Sequence, residues 1–151
     1  MRHRLVDPTS RMKMMRKIDF RFNKVLPEDQ VTALYTSLDW SAAKKPIKLL
    51  MALANSHSVL SAWDGPKLVG LANSISDGYL VVYYPHLLVL PEYQGRGIGK
   101  TLVSMMKKKY YDFHQQILVA DGKIVNFYES CGFKKAGSCE PLWIYDGHDH
   151  D

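Results

Sequence analysis

PEYQGRGIGK, residues 91–100, places three glycines and two cations between a proline and an amphipathic run. Glycine-rich loops ahead of helices commonly bind phosphate, because the free N–H groups of the first helical turn and the helix dipole both favour an anion. Glycines also allow close approach of the backbone and positive φ angles. The stretch therefore predicts a loop–helix junction that binds a phosphorylated ligand.

The spacing of the glycines excludes two common phosphate loops. A Walker A loop requires G-x-x-x-x-G-K-[ST]; Gly99 is followed by Lys and Thr, but the position five before it is Gln94. The dinucleotide fingerprint G-x-G-x-x-G fails from both Gly95 and Gly97. The pattern Q-x-x-G-x-G fits, with Gln94, Gly97 and Gly99 at its fixed positions.

A second motif, NFYESCGF at residues 126–133, follows later in the chain. Together with the loop, the preceding LLVLPEY and the order of strands and helices, it resembles the GCN5-related N-acetyltransferase superfamily over residues 18–145. The resemblance implies an α/β (α+β) fold with a central mixed, mostly antiparallel sheet of about six or seven strands. A splayed pair of strands would surround the acetyl-CoA site, and about four helices would flank the sheet.

Apolar periodicity predicts the elements of this α/β chain. We expect strands at 18–24, 59–63, 68–74, across 79–90, at 117–120, at 142–145 and, as a further short strand, at 133–136; helices are expected at 27–38, 44–55, 97–113 and 123–130. Pro85 interrupts the run 79–90, and since proline lacks an N–H group, it indicates an edge, a bend or a bulge. The helix at 44–55 is expected to bury four apolar side chains: Ile47, Leu50, Met51 and Ala54.

Length and composition predict one domain at 18–151, preceded by a basic N-terminal arm at 1–17 that we interpret as partly vector-derived. The net charge of +5 is scattered outside the arm, so no nucleic-acid partner is expected. No apolar stretch is long enough to span a membrane. Cys131 and Cys139 match neither a metal spacing nor a disulfide framework, which predicts the cytoplasm and no metal.

The resemblance implies that acetyl-CoA is the cosubstrate and assigns most of its binding site. The pyrophosphate would be bound by the loop and the first helical turn, with Arg96 and Lys100 adding positive charge, through Gln94, Gly95, Arg96, Gly97, Ile98, Gly99, Lys100 and Thr101. Pantetheine would pair with the backbone of Leu88, Val89 and Leu90. Relatives often have Asn where this chain has Asp121, so Asp121 either contacts pantetheine less well or only caps the helix. Asn126 is the alternative polar contact.

Two side chains are candidates for proton transfer. The resemblance places Tyr128 beside the coenzyme sulfur, where a neutral phenol can protonate the departing thiolate. Tyr84 and His86 are two residues apart and should share a face of their strand. We interpret His86 as the general base or a proton relay; the alternatives are a water chain without a dedicated base and a histidine that only lines the cleft.

The acceptor is less well specified. In similar proteins the link between the first two helices forms a wall of the acceptor site, here Asp39 and Trp40, with Tyr84 on the strand opposite. A carboxylate beside an indole favours a small cationic or aromatic amine, unless the link is an ordinary exposed turn. The alternatives are a peptide or protein amine and a non-catalytic acyl-CoA-binding module. Homodimers are common in that superfamily, and the sequence does not decide whether this chain forms one.

Overall fold

A six-stranded sheet organises residues 17–150, the part of the chain that the computed structural model describes. The predicted basic arm lies outside these residues, apart from Lys17. The strands are β1 (Asp19–Phe22), β2 (Ser58–Asp64), β3 (Lys67–Ser76), β4 (Val81–Tyr83), β5 (Leu87–Val89) and β6 (Gln115–Ile117). The α-helices are α1 (Glu28–Ser37), α2 (Pro46–Ala54), α3 (Ile98–Lys109) and α4 (Val125–Ser130). Short 3₁₀ turns occupy Ser41–Lys44, Pro91–Tyr93 and Gly122–Ile124.

The sheet is mostly antiparallel, as expected. Its strand order is β1-β2-β3-β4-β6, and β5 pairs with β3 beside β4. The pair β4–β6 is parallel, and every other pairing is antiparallel. Helix α3 supplies the crossover that a parallel pair requires.

A β-bulge separates β4 from β5, which lie on one run of chain. Along β3, the paired residues Ala72 and Ile75 are three apart, whereas their partners Leu87 and Tyr83 are four apart. The extra residue falls around Pro85, which lacks the N–H that regular pairing requires. Beyond the bulge β5 stays with β3, while β6 pairs only with β4 among the described strands. The splayed pair is therefore β5 and β6.

The core lies between the sheet and the helices that cover it. Helix α3 packs on β2, β3 and β5, and α1 packs on β3. At Gly70 a Cβ atom would lie 3.2 Å from the carbonyl oxygen of Leu88 and 3.3 Å from the side chains of Ile98 and Leu102. Only glycine allows α3 to approach the middle of the sheet this closely. No helix within residues 17–150 is both long and apolar enough to cross a bilayer.

The inward face of α2 differs from the prediction. Leu49 and Leu53 are buried, whereas Ile47 and Met51 are 69% and 61% exposed. The helix reads PIKLLMALA and is apolar on most of its circumference, so two sets of residues at helical spacing compete and periodicity does not choose between them. The packing of α2 against α1 makes the choice.

The C-terminal strand predictions are also wrong within the described residues. Residues 133–136 and 142–145 form no strand, and the side chains of Leu142, Trp143 and Ile144 are largely exposed. These residues have high β-propensity, but that preference depends on packing against a neighbouring strand, and none lies beside them. The strand predicted at 117–120 lies earlier, at Gln115–Ile117, and is half-exposed rather than buried, because β6 is an edge strand.

The assignment of the inward face of α2 can be tested with a matched pair of variants. Leu53→Ala removes a fully buried side chain and should lower the free energy of unfolding by about 2–4 kcal/mol. Met51→Ala, on the same helix, should change it by less than about 0.5 kcal/mol because Met51 is exposed. Urea unfolding monitored by circular dichroism measures both values. Equal losses in the two variants would contradict the assignment.

Candidate active site

The glycine loop has the backbone that its sequence predicts. It begins with the turn Pro91–Tyr93 and ends at Gly97, the N-cap of α3. Gly95 and Gly97 have φ angles of 77° and 82°, in the left-handed region. A Cβ added at Gly97 would meet nothing within 4 Å, so the constraint there is the φ angle and not space. A side chain at such a position costs about 1–2 kcal/mol.

The first turn of α3, which follows the glycine loop, has free backbone amides. The first hydrogen bond of the helix runs from the Thr101 amide to the Gly97 carbonyl oxygen, 3.0 Å. The amides of Ile98, Gly99 and Lys100 precede that bond and have no acceptor within the helix. They are therefore free to bind an anion at the positive end of the helix dipole. No side chain caps this end of α3.

Two of the predicted amide donors are already used inside the protein. The Thr101 amide bonds to Gly97, and the Gln94 amide donates to the Pro91 carbonyl oxygen at 3.2 Å. The prediction of a donor at every position from Gln94 to Thr101 is corrected at these two residues. The Gln94 amide is used by the turn, and the Thr101 amide is used by the helix.

The Gln94 side chain connects the loop to β5. Its Nε2 donates to the Val89 carbonyl oxygen at 3.0 Å. The cationic side chains of the loop, Arg96 and Lys100, are exposed. Arg96 does not extend freely, because its guanidinium donates to the Glu92 carbonyl oxygen at 3.1 Å.

Only one edge of β5 is used by the sheet. The Leu90 amide donates to the Val69 carbonyl oxygen at 2.9 Å, and the His86 carbonyl oxygen accepts from the Asn73 amide at 3.3 Å. Alternate residues of an antiparallel pair face the same neighbour, so Leu88, midway between them, faces β3 as well. The prediction that Leu88 and Leu90 offer free backbone groups is corrected by this pairing.

The open edge of β5 belongs to Leu87 and Val89. Their backbone groups face away from β3, toward the opening between β5 and β6. Gln94 occupies the Val89 carbonyl oxygen, which leaves the Val89 amide and both backbone groups of Leu87 for a ligand. Leu87 was not among the predicted residues. The sequence does not show which residues after the bulge direct their backbone groups toward β3 and which direct them away from it.

His86 lies in an aromatic cage beside this edge. Its Nδ1 is 2.7 Å from the hydroxyl oxygen of Tyr35, and its ring meets the Trp40 ring edge-on at 5.2 Å between centroids. Burial lowers the pKa of His86 to about 4 and raises the pKa of Tyr35 above its usual range. Both groups are therefore uncharged at neutral pH.

Asn73 holds the backbone of His86 in place. Its side-chain oxygen accepts from the His86 amide at 3.1 Å, and its backbone amide donates to the His86 carbonyl oxygen. A side chain thus replaces the backbone carbonyl that would normally pair at the bulge. Sequence reasoning missed Asn73; the signal was a polar residue inside the apolar run of β3, where it is 3% exposed.

Three of the predicted residues line one cavity. Tyr84, His86 and Tyr128 surround a cavity of about 20 Å³, which is room for about one water molecule. The rest of the lining is mostly apolar: Ala72, Leu87, Val103, Met106, Leu118 and Phe133. Burial, with a smaller contribution from Cys131, raises the pKa of Tyr128 to about 12, so its hydroxyl keeps its proton at neutral pH. That hydroxyl forms no hydrogen bond with any residue of 17–150.

The predicted acceptor residues are only partly brought together. Trp40 packs against His86, and Tyr84 lines the cavity while its hydroxyl donates to Gln116 at 2.6 Å. Asp39 is exposed, with a φ angle of 57°. Its carboxylate forms no hydrogen bond or ion pair with Trp40 or His86, so its place beside the indole follows only from sequence adjacency.

The remaining candidates lie at the ends of α4. Asn126 is exposed, whereas Asp121 accepts from the Lys123 amide at 2.9 Å and caps the turn before the helix. The ammonium group of Lys107, near the end of α3, donates to the carbonyl oxygen of Cys131 at the end of α4. Within residues 17–150 no group of three or more His, Cys, Asp or Glu side chains could hold a metal ion.

Comparison with known proteins gives consistent matches. The family model described as an acetyltransferase (GNAT) domain matches residues 24–140. GCN5-related N-acetyltransferase 2, chloroplastic, of Arabidopsis thaliana is 34% identical over 110 residues, and an uncharacterized N-acetyltransferase of Gracilaria tenuistipitata is 29% identical over 119. The matches cover 58% and 74% of this chain but 43% and 64% of those proteins. A GNAT-family acetyltransferase structure from Streptococcus pneumoniae has a TM-score of 0.75 at 29% identity, covering 87% of this chain and all of that one.

The low pKa of His86 predicts a pH dependence of stability. The histidine pKa is about 4 when folded and about 6.5 when unfolded, so the unfolded chain binds more protons between these values. As the pH falls from 7 to 4.5, the wild-type protein should lose about 2–3 kcal/mol of unfolding free energy that His86→Gln does not lose. Urea unfolding at several pH values measures the difference, with the exposed His114→Gln as control. Parallel pH profiles for wild type and His86→Gln would contradict a buried neutral histidine.

Proposed function

Because the chain belongs to the GNAT acetyltransferase family, we propose that it transfers the acetyl group of acetyl-CoA to an amine. The observation that carries the proposal is the convergence at one place of three parts: free amides at the start of α3, the open edge of β5 and a cavity lined by Tyr128. Each part matches one portion of the donor. Acetyl-CoA has a pyrophosphate, an extended pantetheine and a thioester.

The donor would bind along the surface from α3 to the cavity. The pyrophosphate accepts from the amides of Ile98, Gly99 and Lys100. Pantetheine carries two amide groups and lies along β5 as an added strand, bonded to Leu87 and to the Val89 amide. This direction brings the thioester to the cavity, since Leu87 both lines it and offers the open edge.

The transfer itself is a direct attack. The amine nitrogen adds to the thioester carbonyl carbon, the carbonyl oxygen becomes an oxyanion, and a free amide of the open β5 edge donates to it. The C–S bond then breaks, and Tyr128 donates its proton to the departing thiolate. A neutral phenol in an apolar cavity suits this step, because it has a proton to give and no competing hydrogen bond within the described residues.

His86 would act as a neutral hydrogen-bonding partner in this mechanism. An imidazole whose conjugate acid has a pKa of about 4 is a poor final acceptor for the proton of an ammonium ion. The cavity has room for about one water molecule beside the ring, so the proton of the amine leaves through water that His86 orients. Of the interpretations that the sequence left open, this supports transfer through water over His86 as the general base.

The acceptor that fits best is a small cationic or aromatic amine. Trp40 packs on His86 next to the cavity, and the exposed Asp39 adds a negative charge at the next residue. The face of an indole attracts a cation that lies within about 6 Å of the ring centroid. A peptide or protein amine is the second candidate, since the link 39–45 is partly exposed.

Cytoplasmic location and homodimer formation stay predictions. The location was inferred from the cysteine content, and the Arabidopsis relative is named chloroplastic. Neither property enters the mechanism, because every group used in it belongs to one chain.

The proposed function is tested by acetyl transfer to a panel of amines. The panel contains small cationic amines, arylalkylamines and short peptides with free α- or ε-amino groups, and release of the CoA thiol is measured. Turnover with small amines supports the proposal. Turnover with peptides alone assigns the second candidate, and CoA binding without any turnover would indicate a non-catalytic acyl-CoA-binding module.

Tyr128→Phe tests the acid role. Removing one hydroxyl should lower kcat by about tenfold or more, because general acid catalysis typically contributes at least that much. The affinity for acetyl-CoA should change by less than about twofold, since the amides and the β5 edge are unaffected. Tyr79→Phe, at a tyrosine that is 85% exposed, is the control. Full activity of Tyr128→Phe would remove this residue from the mechanism.

A further inference from the structure

One hydrogen bond joins the glycine loop to the end of β2. The Tyr93 hydroxyl donates to Asp64 Oδ2 at 2.6 Å. Tyr93 ends the turn that directly precedes Gln94, and Asp64 is the last residue of β2, at the hairpin to β3. The bond therefore joins the loop to a rigid edge of the sheet across 29 residues of sequence.

The position of the Asp64 carboxylate does not favour the stability of the fold. Its other oxygen, Oδ1, is buried without a hydrogen-bond partner among the described residues. An acceptor that is removed from water and left unpaired destabilises the folded state. An unpaired buried polar atom in a native structure needs an explanation other than stability, and the steps proposed for acetyl transfer do not use Asp64.

The Tyr93 ring also organises the charged side chains around the loop. The Arg96 guanidinium carbon lies 4.8 Å from the ring centroid, and the Lys67 ammonium nitrogen lies 5.5 Å from it. Lys67 also pairs with Glu92 at 3.4 Å. The hydrogen bond to Asp64 fixes the orientation of the Tyr93 ring, and the contact with this ring positions the Arg96 guanidinium.

We propose that Tyr93 and Asp64 are positioning residues for the donor, an inference that rests on the proposed function. Their bond fixes the turn 91–93, so that the loop reaches Gly97 with the φ angles that aim the amides of Ile98, Gly99 and Lys100 at the diphosphate of CoA. Neither residue lines the cavity. A loop that is already ordered loses less conformational entropy when the ligand binds, so the bond raises affinity and leaves the chemical step unchanged.

Tyr93→Phe separates these two effects, because it removes the hydroxyl and keeps the ring that Arg96 and Lys67 contact. We expect the Kd for CoA, measured by calorimetry, and the KM for acetyl-CoA to rise about fivefold or more, as for the loss of one ordering hydrogen bond to a carboxylate. At saturating acetyl-CoA, kcat should stay within about twofold of the wild type. Tyr111→Phe, at a tyrosine that is 80% exposed, is the matched control.

Variants of Asp64 test whether the bond itself is responsible. Asp64→Asn keeps an oxygen that can accept from Tyr93 and should bind CoA within about twofold of the wild type, whereas Asp64→Ala should match Tyr93→Phe. The double variant Tyr93→Phe/Asp64→Ala should bind no more weakly than Asp64→Ala, because both changes remove one interaction. If Asp64→Ala does not fold, Tyr93→Phe and Asp64→Asn still decide the question.

Each contrary result has a separate meaning. A Kd for CoA that is unchanged in Tyr93→Phe while its Tm falls overturns the inference and leaves a purely structural bond. A loss in Asp64→Asn as large as in Asp64→Ala also overturns it, because charge and not the bond would then be responsible. If wild-type protein does not bind CoA at all, the proposed function itself fails.

Discussion

The bulge at Pro85 is the feature on which the site depends. Regular pairing would carry the strand past this point with β3 on one side and β6 on the other. The extra residue changes which backbone groups face each neighbouring strand. The Tyr84 amide still donates to the Ile117 carbonyl oxygen at 3.0 Å, whereas the His86 amide donates to the Asn73 side chain on β3. From there on β5 has a free edge, and the opening between β5 and β6 is the proposed site of the donor.

The protonation states in the cavity follow from burial. Burial acts on both titratable groups in the same direction, toward the uncharged form: it lowers the pKa of His86 to about 4 and raises the pKa of Tyr128 to about 12. A site that holds an uncharged imidazole and an uncharged phenol has no fixed charge to attract an ammonium ion into the cavity. In the proposed mechanism, recognition of a cationic acceptor would therefore fall to groups outside the cavity lining, such as Trp40 and the adjacent Asp39, and proton transfer to groups that line the cavity.

Much of the fold and part of the site were predictable because they depend on local sequence. Glycines at positions of positive φ and a proline within a strand have local steric causes, and the two motifs together indicated the family that the chain belongs to. The rest depends on neighbours that are distant in sequence. Periodicity could not choose the inward face of α2, and β-propensity predicted a strand at 142–145 that lacks a partner. The choice between Leu87 and Leu88 at the open edge, and the bond from Tyr93 to Asp64, required knowing which strands are adjacent.

Helix α3 contacts both ends of the proposed donor site. Its first turn offers the free amides, and near its other end Lys107 bonds to the Cys131 carbonyl oxygen at the end of α4, the helix that carries Tyr128. At Gly132, the next residue, a Cβ would lie 2.6 Å from the lysine nitrogen, so a side chain there would displace the end of Lys107. In the proposed donor complex, helix α3 and this hydrogen bond would together set the spacing between the diphosphate contacts and the phenol. A shorter or longer thioester carrier would then place its sulfur out of reach of the Tyr128 hydroxyl.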